Sequence, residues 1–156
     1  MFPPHLIVAE RVAHNLSISS KKRLLEVLAD LLASADPGLS PEVVFERLLE
    51  RERLGSTGLG HGVALPHARM KVLDEAVGAF VQLQEGVSFD SIDDEPVSLA
   101  FGLLVPEEAT EMHLQLLSQL ASMFSNQELR QDLCEASSKD QILGILESWK
   151  NSPKAL

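Results

Sequence analysis

An almost uninterrupted apolar run, Val97 to Val105, limits the possible folds of this chain more than any other segment. Apolar and polar residues do not alternate in it, so the strand that it predicts has no face suited to water. The shorter segments 63–65 and 77–83 also have the composition of strands. We therefore predict a small sheet in which Val97–Val105 is a central strand covered on both faces.

Helical periodicity precedes and follows these strands, and caps suggest where each helix begins. The predicted starts are Ser19 or Ser20, Ser40 with Pro41, Thr110, the capping box Ser125–Glu128 and the capping box Ser138–Gln141. The first two helices should end near Pro37 and Gly55, and residues 1–18 indicate no definite element. Helices on both sides of strands predict an α/β fold: one domain over residues 1–156, ordered from about 5 to 150, with a small mixed β-sheet sandwiched between α-helices.

The net charge and the cysteine content disfavour several classes of partner and of cellular location. The 156 residues include 13 Lys and Arg against 23 Asp and Glu, a formal net charge of −10, which disfavours nucleic acid and anionic lipid as partners. The single cysteine, Cys134, cannot form an intramolecular disulfide, and the sequence has neither a signal peptide nor an apolar stretch of membrane-spanning length. We expect a cytoplasmic protein.

Four glycines in eight positions, from Gly55 to Gly62, precede the histidine of greatest interest. Glycines let backbone N–H groups converge on an anion such as phosphate, but the Lys-Ser/Thr pair of a P-loop does not follow them. His67 comes directly after a short predicted strand and Pro66, which restricts the backbone there. A neutral imidazole whose other nitrogen is held by a hydrogen bond is a competent nucleophile for phosphoryl transfer.

Three spaced segments carry a specific resemblance. Residues 59–68, LGHGVALPHA, resemble the active-site signature of enzyme IIA proteins of the fructose/mannitol type of the phosphotransferase system (PTS), and Glu52 stands at the acidic position that opens that signature. Residues 51–57, RERLGST, resemble the family's arginine segment, and residues 104–114, LVPEEATEMHL, resemble the segment with its second histidine. The similarity extends from the first helix to Trp149 and is greatest to the nitrogen-regulatory branch.

The resemblance implies a role for each matching residue. His67 would accept a phosphoryl group on Nε2, giving a tele-phosphohistidine, while a backbone acceptor holds the other nitrogen. Arg51 would offer its guanidinium to the phosphate oxygens, and His113, 46 positions after His67, would donate to them. Ser56 and Thr57 either bind the phosphate or stabilise the turn. Arg69 either contacts the phosphate or a partner, or is a plain surface residue.

Two positions depart from the family pattern. Ala68 replaces a commoner glycine and is small enough to keep the turn, whereas His61 replaces a different polar residue. His61 near His67 would perturb the pKa of the nucleophile or add a phosphate donor. A zinc site of His61, His67 and His113 is the chemical alternative, but these spacings match no known metal motif, so we predict no metal and no cofactor.

The implied function is that of a phosphohistidine carrier and regulator of the nitrogen-related PTS. It would receive its phosphoryl group from an HPr-like protein (NPr) and regulate targets such as potassium transporters or sensor kinases through its phosphorylation state. The sequence has no fused membrane or IIB segment, which favours regulation over sugar import. The alternatives are a sugar-route enzyme IIA that passes phosphate to a IIB protein, and a binding module that is never phosphorylated.

Overall fold

The computed structural model describes residues 5–150, and twelve elements follow one another in this part of the chain. A 3-10 turn, Ala9–Arg11, comes first. The helices are α1 Lys21–Ala33, α2 Pro41–Leu54, α3 Thr110–Phe124, α4 Gln127–Glu135 and α5 Lys139–Lys150. The strands are β1 Val12–Leu16, β2 Gly58–Gly60, β3 Val63–Ala64, β4 His67–Met70, β5 Val77–Val87 and β6 Val97–Pro106. Residues 151–156, which follow the predicted ordered part of the chain, lie outside the described residues.

The six strands form one mixed sheet in the order β1-β5-β6-β3-β2, with β4 also paired to β6. Strand β6 is antiparallel to β5 on one side and parallel to β3 and β4 on the other. Strands β3 and β4 therefore lie one after the other along the same side of β6, where Val63 is opposite Leu99 and His67 is opposite Leu103. The prediction of a central position for the apolar run is confirmed.

Two apolar clusters enclose the sheet, one on each face. On β6, Ala100 and Leu104 belong to the cluster formed with α1 and α2, whereas Leu99, Phe101 and Leu103 belong to the cluster formed with α3, α4 and α5. All five side chains are at most 1% exposed, so the missing alternation of the sequence reflects burial on both sides. The predicted sandwich of a mixed sheet between helices is confirmed.

Helix starts follow the predicted caps in part. Ser20 Oγ and Ser40 Oγ accept backbone N–H groups at the starts of α1 and α2, and Ser138 Oγ does so for α5. Thr110, predicted as a cap, is instead the first helical residue of α3, and its N-cap Ala109 has no side-chain oxygen to accept a bond. The cap predicted at Ser125 is also wrong: α3 continues to Phe124, so Ser125 closes that helix and Asn126 caps α4.

Buried polar side chains fasten the N-terminal segment, for which the sequence predicted no element. Arg11 Nε donates to the Gly78 carbonyl at 2.8 Å, joining the 3-10 turn to β5. Gln82 Oε1 accepts from the Asn15 N–H at 2.9 Å, while its Nε2 donates to the carbonyls of Leu133 and Ala136 at the end of α4. Gln82 thus connects β1, β5 and α4.

In residues 5–150, helices of sufficient length and hydrophobicity to cross a membrane are absent.

Candidate active site

His67 begins β4 at an edge of the sheet, immediately after a break in the strand. Pro66 has no N–H to continue a ladder, so it separates β3 from β4, while its carbonyl accepts from the Leu103 N–H at 2.9 Å. Side chains alternate along β4: Ala68 and Met70 are buried in the cluster with α1 and α2, and His67 and Arg69 lie on the other face. The nucleophile predicted from sequence therefore faces the side of the sheet on which α3 packs.

One ring nitrogen of His67 is held by the backbone. Nδ1 lies 2.8 Å from the Leu65 carbonyl oxygen, and because a carbonyl can only accept, Nδ1 carries the proton. The neutral ring then has its lone pair on Nε2. Burial lowers the pKa of His67 below its ordinary value, against a smaller raising effect of the Leu65 bond, and the charge of Arg51 lowers it further. The ring is therefore neutral and available as a nucleophile at pH 7.

His113 reaches the same place from α3. Its ring lies edge-on to that of His67, with the ring centroids 5.2 Å apart and the planes at 76°. The side chain is buried, and its Nε2 has no hydrogen-bond partner among residues 5–150. Burial, followed by the charges of His67, Arg69 and Arg51, lowers the pKa of His113 to about 4. His113 is thus a neutral imidazole with an unused polar atom beside the nucleophile.

Arginines and leucines surround the two histidines in an open pocket of about 760 Å³. Arg51 comes from the last turn of α2 and Arg69 from β4. Arg47, one turn before Arg51, also lines the pocket and was not predicted from the sequence. The sequence signal for Arg47 is its spacing of four residues from Arg51, which puts the two side chains on the same face of α2. The acids Glu50 and Glu107 also line the pocket, so arginines exceed carboxylates there in a chain of net charge −10. This local excess suits an anion.

Two predicted phosphate ligands lie outside this pocket. Ser56 Oγ donates to the Phe89 carbonyl at 2.8 Å and accepts from the Gly58 N–H at 3.0 Å. Thr57 is buried, and both its N–H and its hydroxyl donate to the carboxylate of Glu52. Their hydroxyl groups are thus engaged in shaping the loop, so the turn-stabilising interpretation fits them and the phosphate-binding one does not.

An ion pair made by a buried carboxylate behind the pocket is the main feature that sequence reasoning missed. Lys21 Nζ lies 2.9 Å from Glu52 Oε1, and only 3% of the Glu52 side chain is exposed. One signal of it was present in the sequence: Val44, Leu48 and Glu52 are spaced four residues apart, which puts the carboxylate on the buried face of α2.

His61 stays apart from the other histidines. It is exposed in the turn between β2 and β3, with a φ of 57°, and its N–H donates to Asp93 Oδ2 at 2.9 Å. It does not line the pocket of His67 and His113. The three imidazoles of the alternative zinc site are not brought together, and residues 5–150 contain no other cluster of three or more His, Cys, Asp or Glu suited to a metal.

Comparison with known proteins identifies the family of this chain. Residues 5–149 match the family described as phosphoenolpyruvate-dependent sugar phosphotransferase system, EIIA 2. The chain is 42% identical over 137 residues to the nitrogen regulatory protein of Pseudomonas aeruginosa, covering 88% of this chain and 89% of that protein. Identity to the nitrogen regulatory protein of Escherichia coli K12 is 42% over 135 residues, covering 86% and 82% of the two chains.

A solved structure shares the fold over nearly the whole chain. The nitrogen regulatory protein IIA-Ntr from Neisseria meningitidis superposes with a TM-score of 0.85 at 45% identity, covering 90% of this chain and 96% of that one. The family match and this structural match both extend over nearly the whole chain. The chain therefore belongs to the EIIA 2 family of the phosphoenolpyruvate-dependent sugar phosphotransferase system, as a phosphotransferase component similar to nitrogen regulatory proteins.

Proposed function

We propose that this protein carries a phosphoryl group on Nε2 of His67 and regulates its partners through that modification. The observation that carries the proposal is the bond from His67 Nδ1 to the Leu65 carbonyl in a pocket rich in arginine. It leaves the Nε2 lone pair free on a ring that burial keeps neutral. The donor is a small HPr-like carrier (NPr) that is itself phosphorylated on histidine.

The transfer balances without a nucleotide. The Nε2 lone pair of His67 forms the new N–P bond, the donor's N–P bond breaks, and its electron pair returns to the donor imidazole. The ring of His67 becomes formally cationic while it holds the phosphoryl dianion. The Leu65 carbonyl stabilises that cation through the Nδ1–H, and this is why the backbone contact supports the reaction as well as the orientation of the ring.

Three neighbours supply charge and hydrogen bonds for the equatorial oxygens. One N–H of Arg51 donates to the Gly55 carbonyl at 2.9 Å, and the other guanidinium N–H groups can bind phosphate. Arg69 is on the same face of β4 as His67, two residues later. His113, neutral because its pKa is lowered to about 4, can place its proton on the unpartnered Nε2 and donate it.

Exposed leucines at the rim give the donor a surface to dock on. The side chains of Leu54, at the end of α2, and Leu114, on α3, are 84% and 65% exposed and both line the pocket. Apolar side chains at the entrance to a polar site are typical of a surface that contacts another protein. The carrier's histidine would reach His67 between them.

Regulation follows from the charge that the reaction adds. Phosphorylation would place about two negative charges in a pocket that now has an excess of arginine, so partners that bind one form would be repelled or attracted by the other. The names of the relatives from Pseudomonas aeruginosa and Escherichia coli, both nitrogen regulatory proteins, support this assignment. Potassium transporters and sensor kinases are the classes of target that we propose.

Intact-mass spectrometry at neutral to alkaline pH tests the proposal. The protein is incubated with the carrier, its enzyme I and phosphoenolpyruvate, and His67→Ala is compared with His61→Asn, which alters a histidine outside the pocket. We expect one acid-labile phosphoryl group on the wild type and on His61→Asn and none on His67→Ala. An unmodified wild type beside a fully charged carrier would refute the proposal and favour a binding module.

The family description names a sugar system, and this favours one second candidate: an enzyme IIA that passes phosphate to a IIB protein. Discharge of the phosphorylated protein by a IIB domain would select it. A phosphoprotein that stays charged with IIB domains but changes its affinity for a regulatory target would select the regulator.

A further inference from the structure

The buried carboxylate of Glu52 lies at the end of α2, next in sequence to Arg51, and its contacts lead to the nucleophile. Its two oxygens lie 3.2 and 3.1 Å from the Thr57 backbone nitrogen, and one of them also accepts the Thr57 hydroxyl. The third partner is Lys21 Nζ, which also donates to the Phe89 carbonyl at 3.3 Å. Neither Thr57 nor Lys21, the hydrogen-bond and ion-pair partners of Glu52, lines the pocket that Arg51 lines.

Thr57 continues the series of hydrogen bonds toward His67. Its carbonyl accepts from the Leu65 N–H at 3.0 Å, and the carbonyl of that same Leu65 accepts from His67 Nδ1 at 2.8 Å. Glu52 is therefore connected to the imidazole through two residues. Leu65, whose carbonyl sets the tautomer of His67, is held at its N–H by the Thr57 carbonyl, and Glu52 holds Thr57 in turn.

The loop that joins α2 to β2 is fastened at two points by adjacent residues of one helix turn. Arg51 Nη1 donates to the Gly55 carbonyl, and the carboxylate of Glu52 binds Thr57. Arg51 faces the pocket while Glu52 faces the interior, so the loop fixes the position of the guanidinium relative to His67. Displacement of either bond would alter the distance between the two groups that meet the phosphoryl group.

Packing does not explain a carboxylate at this position. Val44 and Leu48 occupy the same face of α2 and are fully buried, so an apolar side chain would suit the site. A buried charge costs desolvation free energy that Lys21 and Thr57 must offset. What the carboxylate adds is directional: it accepts N–H and O–H groups at fixed angles, which an apolar side chain cannot do.

We propose that Glu52 is a positioning residue: bonded to Lys21 and Thr57, it fixes the Leu65 carbonyl and so holds His67 in the tautomer that presents Nε2. This inference rests on the proposed function of His67 as the phosphoryl acceptor. Glu52 does not touch the phosphoryl group and positions His67 through Thr57 and Leu65. Its charge also raises the pKa of His67, an effect smaller than that of burial, and the tautomer readout below reports the positioning role separately.

The test combines phosphoryl-transfer kinetics with ¹⁵N NMR of the histidine rings. Glu52→Gln keeps the shape and removes the charge, Thr57→Val removes the hydroxyl, and Thr57→Ser restores it. Glu46→Gln is the matched control, because Glu46 is an exposed acid on the same helix and does not line the pocket. Thr57→Val also serves as the decisive variant should Glu52→Gln fail to fold.

We expect Glu52→Gln and Thr57→Val to lower the kcat of phosphoryl transfer about tenfold with little change in the KM for the carrier, since misplacement of the reacting group affects the chemical step. The ¹⁵N shifts of His67 should move toward the Nε2–H tautomer in both. Thr57→Ser should restore both readouts, and Glu46→Gln should match the wild type.

Folded variants with wild-type kcat and wild-type ¹⁵N shifts would overturn the inference. So would slower transfer with an unchanged His67 tautomer, which would place the effect at the docking surface for the carrier. A wild type that is never phosphorylated would refute the proposed function instead; the tautomer of His67 in Thr57→Val, shifted or unchanged, would then decide the positioning role.

Discussion

Acidification should destabilise the fold through His113, and the structure sets the pH range. Only 8% of His113 is exposed, and burial is the largest cause that lowers its pKa from 6.5 to about 4, ahead of the charges of His67, Arg69 and Arg51. The unfolded chain takes up this proton near pH 6.5, whereas the folded chain resists it until about pH 4. The stabilising contribution is therefore complete above pH 6.5 and is lost as the pH falls toward 4.

The size of the effect follows from the shift. Each pKa unit corresponds to about 1.4 kcal/mol, so the fall from 6.5 to about 4 is worth at most about 3.5 kcal/mol in the free energy of unfolding. At pH 5 the unfolded state is almost fully protonated at this site and the folded state is not, which gives a loss of about 2 kcal/mol relative to pH 7.5. For a domain of ordinary stability that loss is easily measured.

Urea unfolding at pH 7.5 and pH 5.0 tests the calculation, with His113→Leu as the variant that cannot titrate and His61→Asn as the exposed control. The loss between the two pH values should be about 2 kcal/mol smaller in His113→Leu than in the wild type or in His61→Asn. His67, whose pKa is also lowered by burial, contributes in the same direction in all three proteins. An equal loss in wild type and His113→Leu would contradict this prediction.

Three further predictions concern the arginine, the rim and the sheet. Arg51→Lys should slow single-turnover phosphoryl transfer about tenfold without a change in Tm, because lysine cannot bond Gly55 and phosphate together with a planar fork; an unaltered rate would contradict it. Leu54→Asp combined with Leu114→Asp should raise the KM for the carrier at least tenfold, and an unchanged KM would remove these leucines from the docking surface. Gln82→Leu should lower the free energy of unfolding in urea by about 2–4 kcal/mol, because it leaves buried carbonyls and an N–H unpaired; a neutral effect would show that water replaces these bonds.

The elements that could be predicted from sequence are those whose signals are local. Ser20 and Ser40 cap helices whose apolar residues repeat at helical spacing, and the run Val97–Val105 has no polar face to expose. Strand β1 could not be predicted, because it depends on pairing with β5 nearly seventy residues later and on the buried side chain of Gln82. Residues 12–16 by themselves carry no signal of the pairing with β5.

In the candidate site, too, some features follow from a local sequence signal and others depend on residues that only folding brings together. The segment 59–68 indicates His67 as a reacting group, and the structure supplies Leu65 as the backbone acceptor for its Nδ1. Whether Ser56 and Thr57 face the phosphate or the interior depends on what lies across from them. In the structure the Ser56 hydroxyl donates to the Phe89 carbonyl, and the Thr57 hydroxyl donates to the Glu52 carboxylate. Only folding brings these partners into position.

Side chains alternate between the two faces of β4, so the placement of His67 in the pocket depends on the register in which β4 pairs with β6. His67 and Arg69 are offset by one position from Ala68 and Met70, and β6 holds this order through its pairs from Leu103 to Pro106. A slip of one residue would turn the imidazole and the guanidinium into an apolar interior and bring alanine and methionine out to the pocket. The free energy that opposes such a slip is that of burying two charged or polar side chains and exposing two apolar ones. The protein therefore cannot misplace its nucleophile by sliding this strand without also losing part of its core.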